Sequence, residues 1–183
     1  AAASLVTLAG IVFMLITIRQ VTIEIGGIDD GVALQPNSIE GTQISFTVGG
    51  ANARSAQLLL DDFPVSGAQR YGNRIVWVVP PLTEGGHSLE LVVDRRLYGQ
   101  VSRSIEFSVD GTPPIIDLPS VMEPVPMNQP VTIAGRSEPG ATLVVGGVPL
   151  ETQDGSFVLE LEEPPAGPVS VLAIDRAGNT STF

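Results

Sequence analysis

The chain repeats one pattern of strand, tight turn and strand, and this duplication constrains its fold more than any other feature. Ala56–Val65 aligns with Ala141–Leu150, 85 positions later. Gly86 and Asp94 align with Gly167 and Asp175, 81 positions later. Since a repeat of this length is the size of one small β-sandwich, the duplication predicts two such domains in tandem.

Alternating apolar and polar residues predict short β-strands through most of the chain. In the first copy the apolar positions recur with period two, as in Ile44, Phe46 and Val48, or Leu89, Leu91 and Val93. Glycine, proline and aspartate punctuate these segments, which is typical of antiparallel sheets. We therefore expect antiparallel β-sandwiches over residues 20–112 and 113–183.

Two further features concern the ends of the second copy. Six prolines between residues 113 and 130 predict an extended, semi-rigid junction over residues 110–130. The second copy reaches Phe183 where its last strand would be starting. We expect that this strand is truncated here, so that more chain follows or the strand comes from elsewhere.

An uncharged, apolar run occupies residues 1–18 and ends at Arg19. As a helix it would span about 27 Å at ~1.5 Å per residue, close to the thickness of the hydrocarbon core. No small-residue cleavage site follows it, so an uncleaved anchor is favoured over a signal peptide. Residues 1–19 are thus predicted to form one transmembrane helix that contacts membrane lipid through residues 1–18.

Composition excludes several kinds of chemistry. The net charge is −11, which disfavours binding to nucleic acid. The chain has no cysteine and no lysine, and His87 is its single histidine. Disulfides, thiolate or histidine metal clusters and Schiff-base chemistry are therefore unavailable. We expect a protein that is not an enzyme, has no catalytic or metal-binding residues and needs no cofactor.

Acidic pairs at predicted turns are the best candidates for an ion site. Asp29 and Asp30 form one pair, and Asp61 and Asp62 form the other. Ca²⁺ needs several oxygen ligands, but no EF-hand spacing is present. Solvated turn acids are therefore the favoured interpretation, with a weak Ca²⁺ site as the alternative.

Two single residues are also candidates for a site. His87 precedes an apolar strand, and we expect it on a surface loop. Trp77 shares its parity with Ile75 and Val79, which favours core packing over a sugar-stacking role with Tyr98.

The segment Ala173–Ser181 gathers Asp175, Arg176 and Asn179 near the C-terminus. Asp175 follows an apolar strand, where its carboxylate can accept N–H groups of the turn and close the corner. Asn179 begins a formal glycosylation sequon, but we expect it instead to adopt the left-handed backbone conformation. The segment is thus predicted to be structural.

Three motifs occur in order within the second copy: Gly135–Thr142, Asp154–Phe157 and Ala173–Ser181. Together they resemble the bacterial Ig-like domain of cell-surface proteins, and residues 20–112 resemble it more loosely. The resemblance implies an extracytoplasmic spacer, adhesion module or appendage of a larger surface enzyme, with no shared catalytic residues. The expected fold is all-β: two tandem immunoglobulin-like antiparallel β-sandwiches preceded by one N-terminal transmembrane helix.

These features together predict a single-pass protein of the cell membrane whose Ig-like domains lie on the extracytoplasmic side and bind other proteins. The orientation rests on the resemblance, because Arg19 alone would place the C-terminal side in the cytoplasm. One variant is an accessory subunit of a larger membrane complex. The alternatives are a non-catalytic stalk of a polysaccharide-active surface enzyme, or a module for carbohydrate binding or adhesion.

Overall fold

A computed structural model describes residues 20–95, 99–118, 129–152, 154–162 and 168–183. In these ranges the secondary structure is almost entirely β, as the alternating pattern predicts. The strands of the first repeat are β1 (Thr22–Gly26), β2 (Val32–Leu34), β3 (Gln43–Gly49), β4 (Ala56–Leu60), β5 (Phe63–Pro64), β6 (Gln69–Tyr71), β7 (Arg74–Val78), β8 (Gly85–Asp94) and β9 (Gln100–Val109). Those of the second repeat are β10 (Val131–Arg136), β11 (Thr142–Val145), β12 (Val148–Glu151), β13 (Ser156–Leu161), β14 (Val171–Ile174) and β15 (Thr180–Thr182).

The first repeat forms two sheets, with strand orders β1-β3-β7-β6 and β2-β9-β8-β4-β5. Their inward positions are the predicted period-two residues, and Ile44, Phe46 and Leu91 are all fully buried. The predicted antiparallel pairing is confirmed except at one place, since β2 pairs with β9 in parallel. A four-residue helix, α1 (Pro36–Ile39), and a 3-10 helix at Ala53–Ser55 interrupt the strands.

The second repeat also forms two sheets, with orders β10-β13 and β12-β11-β14-β15. Among the described residues, six buried side chains form a core cluster: Ile133, Leu143, Val145, Phe157, Val171 and Ala173. An isolated antiparallel bridge joins Asp117 to Arg136, so the described start of the proline-rich junction lies beside β10. This bridge involves one described residue of the junction, and the extended, semi-rigid junction over residues 110–130 stays a prediction.

The chain divides into two compact units that each combine separate segments. Of the described residues, one unit contains those within 20–29, Gln43–Val78 and Ser88–Ile105, and the other contains those within Asp30–Thr42, Val79–His87 and Glu106–Phe183. The second unit thus includes three segments of the first repeat together with the second repeat. The bounds 1–19, 20–112 and 113–183 stay predictions.

The duplication is clearest at two tight hairpins. Asp61 and Asp62 join β4 to β5, and Gly146 and Gly147 join β11 to β12. All four residues have positive φ, between 51° and 87°, as a type I′ turn requires. Each hairpin also makes the same backbone bond to the neighbouring strand, from Asp61 to Ser88 and from Gly146 to Ser170.

With the hairpins as reference, strand pairing corrects one part of the predicted alignment. Leu60 pairs with Leu89, and its equivalent Val145 pairs with Val171. Four residues further along β8 and β14, Val93 and Asp175 occupy equivalent positions in the two repeats. The predicted equivalence of Asp94 and Asp175 is therefore wrong by one residue. The error arises because an aspartate stands at the end of each strand: Asp94 is the last residue of β8, whereas Asp175 is the first residue after β14.

In the ranges that the structure describes, no helix has the length and apolar character needed to cross a membrane. The predicted transmembrane segment, residues 1–19, lies outside those ranges. So do residues 119–128 of the junction.

Candidate functional site

The polar corner that follows β14 is the most elaborate polar arrangement around the predicted site residues. Asp175 is 7% exposed, and its carboxylate accepts two hydrogen bonds from Asn179. The backbone N–H of Asn179 bonds to Oδ1 at 2.8 Å, and its Nδ2 bonds to Oδ2 at 2.8 Å. Backbone bonds from Asp175 to Asn179 and from Gly178 to Asp175 close the loop. The predicted structural role of Asp175 is confirmed.

The structural role of Asn179 differs from the predicted one. It is 8% exposed, and Gly178 rather than Asn179 takes the left-handed conformation, with φ of 91°. The predicted left-handed Asn179 is therefore wrong. Its Nδ2 is shared between Asp175 and the backbone carbonyl of Asp110, 2.8 Å away. Since the amide nitrogen of this sequon is buried and bonded twice, it is not presented as a glycosylation acceptor.

The carbonyl of Asp110 is the partner that the sequence gives no means of finding. It lies 69 positions before Asn179, at the exit of β9, and it is a backbone atom with no side-chain signature. The bond therefore connects the last strand of the first repeat to the corner of the second repeat. Both residues belong to the same compact unit.

Glu138 is the titratable group whose environment the corner alters. Partial burial raises the pKa of its carboxyl above the usual glutamate range, and the negative charges of Asp175 and Asp110 raise it further, while Arg176 lowers it. The guanidinium of Arg176 lies over Gly140, where a Cβ atom would come within 2.9 Å of Nη2. Gly140 has a φ of 83°, in the left-handed region that favours glycine, so the backbone conformation is the main reason for glycine here, since the end of the Arg176 side chain can move.

Chemically, this corner is suited to holding the chain rather than to transforming a substrate. The oxygens of Asp175 are occupied by N–H donors, and the carboxylate is withdrawn from solvent. A general acid or base must reach the proton that it transfers, whereas this group is committed to its own loop. The corner thus supplies stability and a link between segments distant in sequence.

One member of each acidic pair is a turn residue whose side chain caps a backbone group. Asp30 Oδ1 accepts the N–H of Glu106 at 2.8 Å, and Asp61 Oδ1 accepts the N–H of Ser88 at 2.8 Å. Among the residues that the structure describes, no three His, Asp or Glu side chains come together to hold a metal ion. The turn interpretation of Asp30 and Asp61 is confirmed, and it is more specific than a solvated surface.

The predicted surface-loop position of His87 is wrong. His87 lies inside β8, is 9% exposed, and packs on the ring of Phe107 with centroids 5.5 Å apart. Its Nε2 is 2.9 Å from the carbonyl oxygen of Thr83. The strand begins at Gly85, so the inward parity of Leu89 extends back to His87. Extending that alternation by one step would have found this position.

Trp77 is 3% exposed, which confirms core packing and rules out a sugar-stacking surface on its ring. Tyr98, its predicted partner in carbohydrate binding, lies outside the described residues. The pair Trp77 and Tyr98 therefore gives the carbohydrate alternative no support.

Comparison with known proteins identifies the fold. No family model and no curated protein matches the sequence. The fibronectin(III)-like modules of Clostridium thermocellum CbhA are similar at a TM-score of 0.50 and 15% identity, over 88% of this chain and 90% of that one. An I-band fragment of titin is similar at a TM-score of 0.50 and 14% identity, over 87% and 62% of the two chains. At these identities the likeness shows a tandem immunoglobulin-like fold and nothing further.

Proposed function

We propose that this chain is a non-catalytic spacer and protein-interaction module, held at the cell membrane with its Ig-like domains on the extracytoplasmic side. The observation that carries the proposal is the bond from Asn179 to the carbonyl of Asp110. A part-buried polar link between the two repeats suits a chain that must keep its segments in a fixed arrangement. A catalytic surface would instead leave such groups open to substrate.

The fold supports the same function. Immunoglobulin-like and fibronectin(III)-like domains often serve as structural or interaction modules. Several of the described acids accept hydrogen bonds from backbone N–H groups, among them Asp30, Asp61 and Asp175. These carboxylates thus stabilise loops and strand ends. The sheet faces are therefore the surfaces that we propose for partners.

The membrane part of the proposal rests on the apolar run of residues 1–18, and the orientation rests on the resemblance to cell-surface Ig-like domains. A single-span accessory subunit of a larger membrane complex is the specific form of this function. In that form residues 1–18 contact lipid and the domains contact the partner protein.

Cell fractionation tests the anchor. The full chain and a chain that begins at Gln20 are produced with the same C-terminal tag in a bacterial host. We expect the full chain to sediment with membranes and to resist alkaline carbonate, and the shorter chain to stay in the supernatant. External protease should degrade the domains of the full chain in spheroplasts. Equal partition of both chains, or complete protection from protease, would contradict the proposal.

Limited proteolysis tests the spacer role separately. Asn179→Ala removes both bonds of the amide, so we expect cleavage between the repeats to become several-fold faster than in the native chain. Thr180→Ala changes an exposed neighbour and serves as the matched control. Unchanged cleavage of the Asn179→Ala protein would show that the link does not fix the two repeats.

A further inference from the structure

The outward face of the sheet β1-β3-β7-β6 carries a shallow depression of about 290 Å³. It lies wholly within one compact unit. Its lining combines an aromatic ring, a guanidinium, two carboxamides and an apolar floor: Tyr71, Arg74, Gln43, Gln69, Val76 and Val78. We call these six residues the β6–β7 groove. Its volume is at the lower end of small-molecule sites, so it would take a short segment of a ligand.

Strand register explains why these side chains share one surface. Tyr71 pairs with Arg74 across the β6–β7 hairpin, and Gln69 pairs with Val76. On the other side of β7, Gln43 of β3 pairs with Val78. Paired residues on one sheet face have Cβ atoms about 5 Å apart, so the groove is a grid of adjacent side chains. The alternation of β7 sends Ile75 and Trp77 into the core and leaves these residues outside.

The aromatic and apolar members of the groove are accessible. Tyr71 is 60% exposed and Val78 is 51% exposed. The hydroxyl of Tyr71 donates a hydrogen bond to Oε1 of Gln69, so the ring lies beside a carboxamide of the groove. An exposed ring in this place offers a flat apolar surface next to polar groups.

The groove is also a local exception to the charge of the chain. Arg74 is the only charged side chain among its lining residues, whereas the whole chain has a net charge of −11. Across the described part of the chain, the guanidinium of Arg74 has no hydrogen-bond or ion-pair partner. The nearest acid in its row of the sheet is Glu24, two strands away through Thr47. A ligand with a carboxylate would complement this position.

We infer that the β6–β7 groove binds an acidic carbohydrate, a chain of uronic acid units. The ring of Tyr71 would stack against the C–H face of one sugar, and Arg74 would pair with its carboxylate. The carboxamides of Gln43 and Gln69 both donate and accept hydrogen bonds, as sugar hydroxyls do. This site adds a ligand to the proposed spacer function and does not depend on it.

An acidic peptide is the other ligand that an exposed arginine could attract. A peptide on this sheet would be held mainly by backbone bonds along the edge strand, and β6 is only three residues long. The groove instead offers side-chain groups on the sheet face, which match a hydroxylated ring better than an extended backbone.

Calorimetric titration of the full chain in detergent micelles with a short oligogalacturonate tests the inference. Maltose oligosaccharide of equal length is the neutral control ligand, and polyglutamate is the acidic peptide control. We expect oligogalacturonate to bind at least about tenfold more tightly than either control ligand, and Tyr71→Ala to weaken that binding about tenfold. Arg74→Gln should remove the preference for the acidic sugar over the neutral one.

Matched variants separate the groove from general charge and hydrophobicity. Phe63→Ala removes an aromatic ring that is 74% exposed outside the groove, and Arg54→Gln removes an exposed arginine elsewhere. Both should bind oligogalacturonate within about twofold of the native chain. The inference is overturned if the native chain does not bind oligogalacturonate, or if Tyr71→Ala and Arg74→Gln bind it as the controls do. Tighter binding of polyglutamate would assign the groove to a peptide instead.

Discussion

The two repeats place different kinds of residue at the same inward position, an apolar side chain in the first and a carboxylate in the second. Strand pairing makes Val93 of the first repeat equivalent to Asp175 of the second, and both face inward. Val93 is fully buried, and Asp175 is 7% exposed. In the first repeat the strand continues to Asp94, so Val93 packs as an ordinary core residue. In the second the strand ends at Ile174, and the turn that follows supplies N–H groups to the carboxylate.

The difference shows what a buried carboxylate requires. An inward aspartate is tolerated where the backbone turns at once and presents donors to both oxygens, as Asn179 does for Asp175. Where the strand continues, its N–H groups are committed to the sheet, and only an apolar side chain fits. Exchanging the two residues should therefore destabilise both repeats, although by different amounts.

The largest effect is expected from Val93→Asp. This change places a carboxylate in the apolar core without the turn that satisfies its equivalent, so we expect a loss of about 4 kcal/mol in the free energy of unfolding. Urea denaturation followed by fluorescence measures it, because Trp77 is the single tryptophan and lies buried in the same repeat.

Val92→Asp is the matched control for that variant. Val92 is half-buried and has the opposite parity on β8, so a carboxylate there can reach water. We expect a loss of about 1 kcal/mol or less. Equal losses for the two variants would mean that Val93 is not the core position that its burial indicates.

The reciprocal change, Asp175→Val, should cost less. It removes the acceptor of the backbone N–H of Asn179 and one of the two acceptors of its Nδ2, which still bonds to Asp110, and this predicts a loss of about 2–3 kcal/mol. Asp175→Asn retains one carbonyl oxygen and should lose about half as much. Circular dichroism during urea denaturation reports on both repeats. If the Asp175→Val protein were as stable as the native chain, the view that the carboxylate is needed would be contradicted.

The hairpins extend the comparison to the backbone. Asp62 and Gly147 occupy equivalent turn positions with φ of 67° and 87°, a conformation that disfavours side chains. We expect Gly147→Asp to cost about 1 kcal/mol and Asp62→Gly to gain up to about 1 kcal/mol. Thermal denaturation of both variants measures the difference. A stabilising Gly147→Asp and a destabilising Asp62→Gly would contradict the prediction and would show that the turn propensity of aspartate outweighs the cost of the positive φ.

Asp61→Gly sharpens the hairpin prediction. Its carboxylate accepts the N–H of Ser88, a bond that the equivalent Gly146 cannot make. The gain from relieving the positive φ should therefore be offset by the loss of that bond, about 1 kcal/mol each. A near-zero change for Asp61→Gly beside a clear gain for Asp62→Gly would separate the two contributions.

Local sequence patterns predicted most of the strands, whereas the features that depend on long-range pairing could not be predicted. Period-two alternation placed the buried residues of β3, β7 and β8, because a half-buried strand needs no information from elsewhere. The same alternation missed His87, because a polar histidine at the inward position made the strand seem to begin later than it does. The short strand β2 has three half-buried residues and no period to detect.

The site was less accessible to sequence reasoning. The carboxylate role of Asp175 followed from local turn chemistry, which operates over a few residues. The carbonyl of Asp110 did not, because a backbone acceptor 69 positions away has no sequence signal. The groove between β6 and β7 depends on which face of a sheet is left open, and register decides that only once the strands are paired.

The smallest effect concerns pH at Glu138, whose equivalent in the first repeat is Ala53, a buried apolar residue. Burial, Asp175 and Asp110 raise the pKa of Glu138 in the folded state, so the folded chain binds this proton more tightly than the unfolded chain. The contribution of Glu138 to stability is thus fully present below its ordinary pKa of about 4.3 and is lost as pH rises through the raised value.

Glu138→Gln should therefore be more stable than the native chain near neutral pH, and the two should converge at about pH 4 in urea titrations. Because Asp175 contributes to the raised pKa, the advantage of Glu138→Gln should shrink in an Asp175→Asn background, whereas an unchanged advantage would assign the whole shift to burial.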